Sequence, residues 1–278
     1  MMSNPAGIEP GAHEAGNPAS NEATIAEAAS NEATIAEATI AEGIQVIPVR
    51  GLPEVRPGDE IADLIANNAR LQDGDVVVVT QKIVSKAEGR LVKLPEPAGG
   101  EQLEEPSILE LVLQESVRVL RRRGELLLTE TKHGFVCANA GIDRSNMEPG
   151  EVALLPVDPD RSARHIRDRL RALFSLEVGV VISDTFGRTW RRGLVDVAIG
   201  CAGIAPLLDL RGSQDSQGRV LKVTEICIAD EIAAAAELVM GKSSATAAVV
   251  LRGLERSWLR EGSVRHEIVR PYDEDLFR

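Results

Sequence analysis

Aromatic residues are scarce: two Trp, one Tyr and four Phe in 278 residues. The core is therefore left to Val, Ile, Leu and Ala, and interleaved rings for stacking nucleic-acid bases are missing. A formal net charge of −12 points the same way, because a phosphate-backbone binder needs a basic face. Cysteine is scarce too. Cys137, Cys201 and Cys227 are odd in number, far apart and lack a Cys-x-x-Cys pair, which argues against a disulfide framework or a zinc site and favours a reducing compartment. The four histidines (His13, His133, His165, His266) contain no pair at ligand spacing. No hydrophobic run reaches membrane-spanning length, and the N-terminus lacks a basic-then-apolar leader. A soluble, cytoplasmic protein is expected, binding neither nucleic acid nor membrane.

Standard nucleotide signatures are also missing. There is no Gly-x-Gly-x-x-Gly, no Gly-x-Ser-x-Gly and no His-Glu-x-x-His. Met240-Gly241-Lys242-Ser243 mimics the end of a P-loop, but Ala236 stands where that loop needs glycine, and the segment follows a helical stretch rather than preceding one. Lys242 is kept only as a candidate phosphate contact.

What is present divides into two parts. Residues 1–43 carry seven glutamates and no Lys or Arg, and two near-identical decapeptides begin at Ser20 and Ser30. One isoleucine per repeat gives almost no apolar face, so this acidic segment is expected to be disordered or weakly helical, without a catalytic part. Residues 44–278 read as a folded body. Strands are expected at 43–49, 76–79, 178–182, 207–211, 220–225 and 247–251, with two more within 126–136. Helices are expected at 101–123, at 162–173 with Asp160 as N-cap, and at 229–239. Another should begin near Ile61, capped by Asp59.

The body is organised around Val178-Gly-Val-Val-Ile-Ser-Asp184-Thr185-Phe-Gly187-Arg188-Thr-Trp190-Arg191-Arg192-Gly193. A β-branched run ends abruptly in a carboxylate and a hydroxyl, followed by three arginines. Those oxygens suit a hard divalent cation, and guanidinium forks suit phosphate or carboxylate. Taken alone, the stretch is more simply a strand running into a polar turn, since short motifs recur by chance. Thr80-Gln-Lys-Ile-Val-Ser-Lys86 follows the four-valine run Val76–Val79 and is either an anion-binding strand end or a solvated edge. Asp143, Ser145 and Asn146 are either turn chemistry or a second set of oxygen ligands.

Taken together, Gly51-Leu-Pro-Glu54, Thr80–Arg90, Ala140-Gly-Ile-Asp-Arg-Ser-Asn146, Leu154–Pro159, Ser183–Arg191, Val223–Glu225 and Asp230–Ala236 resemble the coenzyme F420-0:L-glutamate ligase family across essentially all of residues 44–278. The resemblance implies a mixed α+β fold with several short sheets and flanking helices, neither Rossmann nor P-loop, and an intertwined homodimer. It implies GTP-dependent addition of L-glutamate to coenzyme F420-0, with further γ-linked glutamates, through an acyl phosphate. By position, Asp143 and Asp184 would share one divalent ion, Mg or Mn, and Thr185 would bind a second, with potassium as a further cation. Leu52, Pro53, Glu54, Val55, Gln81, Lys86 and Asn146 would contact GTP. Asp143, Asp184 and Arg188 are the catalytic candidates, with Arg188, Arg191 and Arg192 able to take substrate carboxylates or the phosphodiester. The alternatives are a non-catalytic nucleotide-binding protein and an amide ligase for another carboxylate acceptor. The acidic repeat has no counterpart in the resemblance.

Overall fold

Four consecutive valines, Val76–Val79, have no exposed surface at all, and they set the frame. They form β2 (Val76–Thr80) inside a five-stranded sheet ordered β1 (Gln45–Pro48), β12 (Ala248–Arg252), β2, β8 (Gly179–Gly187), β9 (Leu194–Ala202). This computed structural model describes residues 43–94, 105–145, 147–241 and 246–276. The acidic repeat, Asn146 and Lys242 lie outside the described residues. Residues Ile44–Arg278 form one unit. Among the described residues, no helix is long and apolar enough to cross a membrane.

Strand direction decides where the polar residues meet. β2 and β8 run parallel, with Val76 opposite Gly179 and Thr80 opposite Ser183, so both strands deliver their C-terminal residues to one sheet edge. β12 runs antiparallel to β2, which puts its start at the same edge, where the Thr80 amide donates to the Ala247 carbonyl at 3.0 Å. β1 is antiparallel to β12, and the chain after it, 49–55, emerges there too. β8 and β9 form a hairpin with a bulge between Ile182 and Ser183, which twists the strand where its polar residues begin.

Around this sheet lie the helices α1 (Ile61–Asn68), α2 (Gln81–Ala87), α3 (Glu105–Glu115), α4 (Pro159–Phe174), α5 (Ile228–Met240) and α6 (Val264–Glu267). Helices α4 and α5 both pack on β9. Ala229, Ala233 and Ala236 on α5 are fully buried, since small side chains let the helix approach the sheet. At Gly200 an added Cβ would sit 2.4 Å from the Pro159 carbonyl carbon, so only glycine lets the start of α4 come this close. Smaller sheets complete the fold: β4 (Ser116–Arg123), β5 (Leu126–Thr131) and β6 (Val136–Ala138) as an antiparallel meander, β3 (Leu91–Lys93) with β7 (Glu151–Ala153), and β10 (Leu208–Asp209) with β11 (Glu225–Ile226). The fold is α+β with mixed strand directions, and among the described residues it has neither Rossmann nor P-loop organisation.

Four local expectations are corrected. Of the strand expected at 220–225 only Glu225 is in one, as part of β11, while Val220 forms an isolated bridge to Gln214. The helix expected at 101–123 stops at Glu115, and Ser116–Arg123 is strand β4. Arg121, Arg122 and Arg123 pair across to Leu128, Leu127 and Leu126, and this hairpin pairing overrides the helical spacing of Val119 and Leu120. The N-cap of α4 is Asp158, which accepts from the Arg161 amide. Asp160 lies inside the helix and is buried, accepting from the Cys201, Val264 and Arg265 amides and the Ser263 hydroxyl. Asp59 does not cap α1 either. Glu60 holds that position, and the Asp59 carboxylate accepts from the Arg56 amide at 2.7 Å.

Candidate active site

At the shared sheet edge opens a cleft of about 370 Å³. One wall is Leu52, Pro53, Glu54 and Val55, delivered by the chain after β1. The floor is Thr80, Gln81, Lys82, Ile83 and Lys86, where β2 passes into α2. Facing them are Asp143 and Ser145 from the turn after β6, Ser183, Asp184 and Thr185 at the end of β8, and Asp196 from β9. Segments far apart in sequence thus meet because the parallel β2–β8 pair ends here.

Asp143 is tied into its turn. Its Oδ1 accepts from the Ser145 amide and hydroxyl, each at 2.7 Å, and Oδ2 lies 3.1 Å from the Lys82 ammonium. Lys82 also donates to the Ser145 carbonyl at 2.6 Å and to its hydroxyl oxygen at 2.9 Å. Burial works to raise the Asp143 pKa, but the bonds from Ser145 and the Lys82 ammonium outweigh it, so the carboxyl sits below its ordinary value. Lys86 pairs with Glu54, joining the 52–55 wall to the floor. Gln81 is buried, and its amide nitrogen donates inward, to the Ser85 hydroxyl at 2.6 Å and the Leu154 carbonyl at 3.1 Å.

Across the cleft, Asp196 organises the other cluster. It is 5% exposed and accepts from the Thr185 hydroxyl at 2.6 Å and the Ser183 hydroxyl at 3.0 Å. With its proton directed at Asp196, the Thr185 oxygen meets any further partner as an acceptor. The Asp196 amide donates to Glu237 on α5 at 3.1 Å, fixing this part of β9 to the helix behind it. Beside the site lies the Cys137 thiol, pushed up to about 12 by burial, with the charge of Asp184 adding to the effect.

The sequence profile of the F420-0:Gamma-glutamyl ligase family matches residues 51–253. The Methanopyrus kandleri protein named coenzyme F420:L-glutamate ligase is 45% identical over 246 residues, spanning 84% of this chain and 98% of its own. Its namesake from Methanothermobacter thermautotrophicus is 43% identical over 250 residues, 85% of this chain and 99% of that protein. The chain belongs to the F420-0:gamma-glutamyl ligase family. A third namesake, from Archaeoglobus fulgidus, is 45% identical over 244 residues, 84% of this chain and 96% of its own.

For this F420 ligase family member the cleft gathers Leu52, Pro53, Glu54, Val55, Gln81, Lys86, Asp143, Asp184 and Thr185. Arg188 is not among the cleft-lining residues. It lies on the exposed tip of the β8–β9 hairpin, donating to the Arg192 carbonyl at 2.9 Å, with Arg191 and Arg192 also exposed there. Lys82, Ser183 and Asp196 were missed as site residues. For Asp196 a signal existed: a lone acid in the alternating run Leu194-Val-Asp-Val-Ala198. Lys82 lay in view but was indistinguishable from a solvated lysine.

The donor set fits a metal ion. Among the described residues, no three His, Cys, Asp or Glu side chains gather as a protein-only cage. Two carboxylates and a hydroxyl lining one cleft instead match hard cations that take their remaining ligands from phosphate oxygens and water.

Proposed function

We propose that this chain is a GTP-dependent ligase that joins L-glutamate to the lactyl carboxylate of coenzyme F420-0 and goes on to add γ-linked glutamates. One observation carries this reading: Asp143, Asp184 and Thr185 line the same cleft as the 52–55 wall, Lys82 and Lys86. Carboxylates and a hydroxyl opposite ammonium groups suit a triphosphate held between cations. Family membership and the names of the relatives support the substrate and the reaction.

A carboxylate is a poor acyl donor. In the proposed course its oxygen attacks the γ-phosphorus of GTP, the bond to the β-phosphate oxygen breaks, and GDP leaves. The glutamate amine then attacks the acyl carbon of the acyl phosphate and loses a proton, and inorganic phosphate departs. Such transfer demands positioning and charge neutralisation more than a protein nucleophile. Asp143 and Asp184 would hold one divalent ion, Mg or Mn, and Thr185 a second, with potassium as a further cation; these ions would neutralise the triphosphate and polarise its terminal group. Leu52, Pro53, Glu54, Val55, Gln81, Lys86 and Asn146 position the nucleotide. Arg188, Arg191 and Arg192 on the hairpin tip take substrate carboxylates; an unchanged glutamate KM in the Arg188→Ala, Arg191→Ala double variant would remove them from this scheme. Beyond Thr185, Phe186 turns into a separate concavity of about 340 Å³ shared with Phe135 and Ile268, where the two phenyl rings meet edge-on at 6.2 Å. That apolar wall suits the flat ring of the acceptor.

The reaction is tested with acceptor carrying ¹⁸O in its lactyl carboxylate. One label should appear in inorganic phosphate, with GDP formed in step with the amide product. Amide without label transfer, or formation of GMP, would defeat the acyl-phosphate course.

A homodimer is part of the same proposal. Leu126, Leu128 and Val136 share one face of the β4–β6 meander and are exposed. A second copy would cover this surface. Sedimentation should show a dimer that Leu128→Glu converts to monomer; a wild-type monomer would refute it.

A further inference from the structure

The two oxygens of Asp143 are not equivalent. Oδ1 is committed to its own turn through the Ser145 amide and hydroxyl, both at 2.7 Å. Oδ2, the oxygen turned away from those donors, faces the Lys82 ammonium at 3.1 Å. The same ammonium reaches two further oxygens of Ser145, the carbonyl at 2.6 Å and the hydroxyl at 2.9 Å. Lys82 is thus held by three oxygens, all from residues 143 and 145, in the manner of a bound cation. It is a half-buried part of the cleft floor, with 19% of its side chain exposed.

A divalent ion bound by Asp143 needs Oδ2, the oxygen that Lys82 holds. Hard cations sit about 2 Å from carboxylate oxygens, so an ammonium left at its present distance would stand close to a doubly charged ion. That repulsion is strong in a partly desolvated cleft. The lysine has a flexible four-carbon stem and three rotatable donors, and a triphosphate entering with the metal supplies new oxygens on the same floor. We propose that Lys82 is a resident counter-cation at the metal position. Before loading it neutralises Asp143 and pins the 143–145 turn; when the divalent ion arrives it yields Oδ2 and passes to the nucleotide's phosphate oxygens. This rests on the ligase reading above, in which Asp143 binds a divalent ion.

The proposal predicts competition between ammonium and metal, which a purely structural ion pair outside the metal position would not show. Mn²⁺ binding to the full chain is measured by electron paramagnetic resonance of the free ion, with and without GDP. Lys82→Met should bind Mn²⁺ roughly fivefold tighter than wild type when no nucleotide is present, about the strength of one modest ion pair removed from the metal-free state. With GDP the advantage should shrink, because the variant then also lacks an ammonium partner for the phosphates. Lys82→Arg, which keeps the charge, should bind Mn²⁺ no tighter than wild type and serves if the Met variant fails to fold. Equal or weaker Mn²⁺ binding by Lys82→Met in the absence of nucleotide, while wild type binds normally, overturns this inference and leaves the ligase reading standing. Tighter binding by Lys82→Arg overturns it too. Absence of Mn²⁺ binding by wild type even with GDP would overturn the ligase reading itself, and this inference with it.

Discussion

Replacing Thr185 with valine removes one hydroxyl at nearly constant volume. That hydroxyl donates to Asp196 at 2.6 Å and also lines the cleft. Asp196 is buried at 5% exposure, and its other oxygen takes the Ser183 hydroxyl at 3.0 Å. A hydrogen bond to a charged group contributes about 1.5–3 kcal/mol. For a body of this size about 1 kcal/mol moves the melting temperature by roughly 2–4 °C. A fall of about 3–12 °C for Thr185→Val is therefore expected by calorimetry. If the oxygen also binds metal, glutamate ligation should fall by at least about tenfold to a hundredfold, and more Mn²⁺ should be needed for half-maximal rate. Thr185→Ser keeps the oxygen and the donated proton and should recover most of both losses. A Thr185→Val variant that ligates at the wild-type rate, with unaltered metal dependence, would refute the assignment of this hydroxyl. If the melting temperature fell while the rate held, its role would be confined to Asp196.

Asp160→Asn should destabilise the protein by roughly 3 kcal/mol in urea unfolding, because an amide replaces a buried carboxylate that accepts from four donors joining α4, β9 and α6; a loss under about 1 kcal/mol would contradict that role. His133 is held below its ordinary pKa mainly by burial, while its Nε2 lies 2.8 Å from the Pro156 carbonyl and its ring stacks on Phe135. Because the unfolded state then binds the proton more readily, stability should be fully present above about pH 6.5 and fall as pH drops toward the folded-state value. His133→Gln should flatten that part of the stability curve, and an unchanged slope would count against the burial argument. Burial pushes the thiols of Cys137 and Cys227 up to about 12 and raises that of Cys201 as well, so native protein at pH 8 should resist iodoacetamide, which labels all three after unfolding. Rapid native alkylation of Cys137 would show that β6 opens beside Asp184.

The parts legible in the sequence were those in which a local pattern and its burial agree. The four valines of β2 and the alanine-rich face of α5 could be read because β-branched runs and helical spacing each have one comfortable answer. Helix 101–123 failed at its second half because Val117 and Val119 sit in a strand whose hydrogen-bond partner lies beyond Gly124, and periodicity within one segment does not see the partner. Both aspartate caps were misplaced by one or two residues, where several acids compete for one helix start. Asp143 lies in the turn after β6 and Asp184 within β8, and only several ordered motifs taken together assigned them to one site. Their common cleft follows from the packing of β6 against β8 and from the bridge of Asp143 to Ala153 of β7, which no spacing along the chain encodes. Asp196 escaped because a carboxylate that works by holding Thr185 and Ser183 has no motif of its own.

In the proposed reaction Asp143 and Asp184 close on one cation that grips a triphosphate. Crystals grown with Mn²⁺ and a non-hydrolysable GTP analogue, with diffraction recorded at the manganese edge, locate that ion directly. An anomalous peak within about 2.3 Å of a carboxylate oxygen from each aspartate, with analogue phosphates completing its coordination, is the predicted result. A manganese ion bound elsewhere, or by only one of the two aspartates while the analogue occupies the cleft, would contradict it.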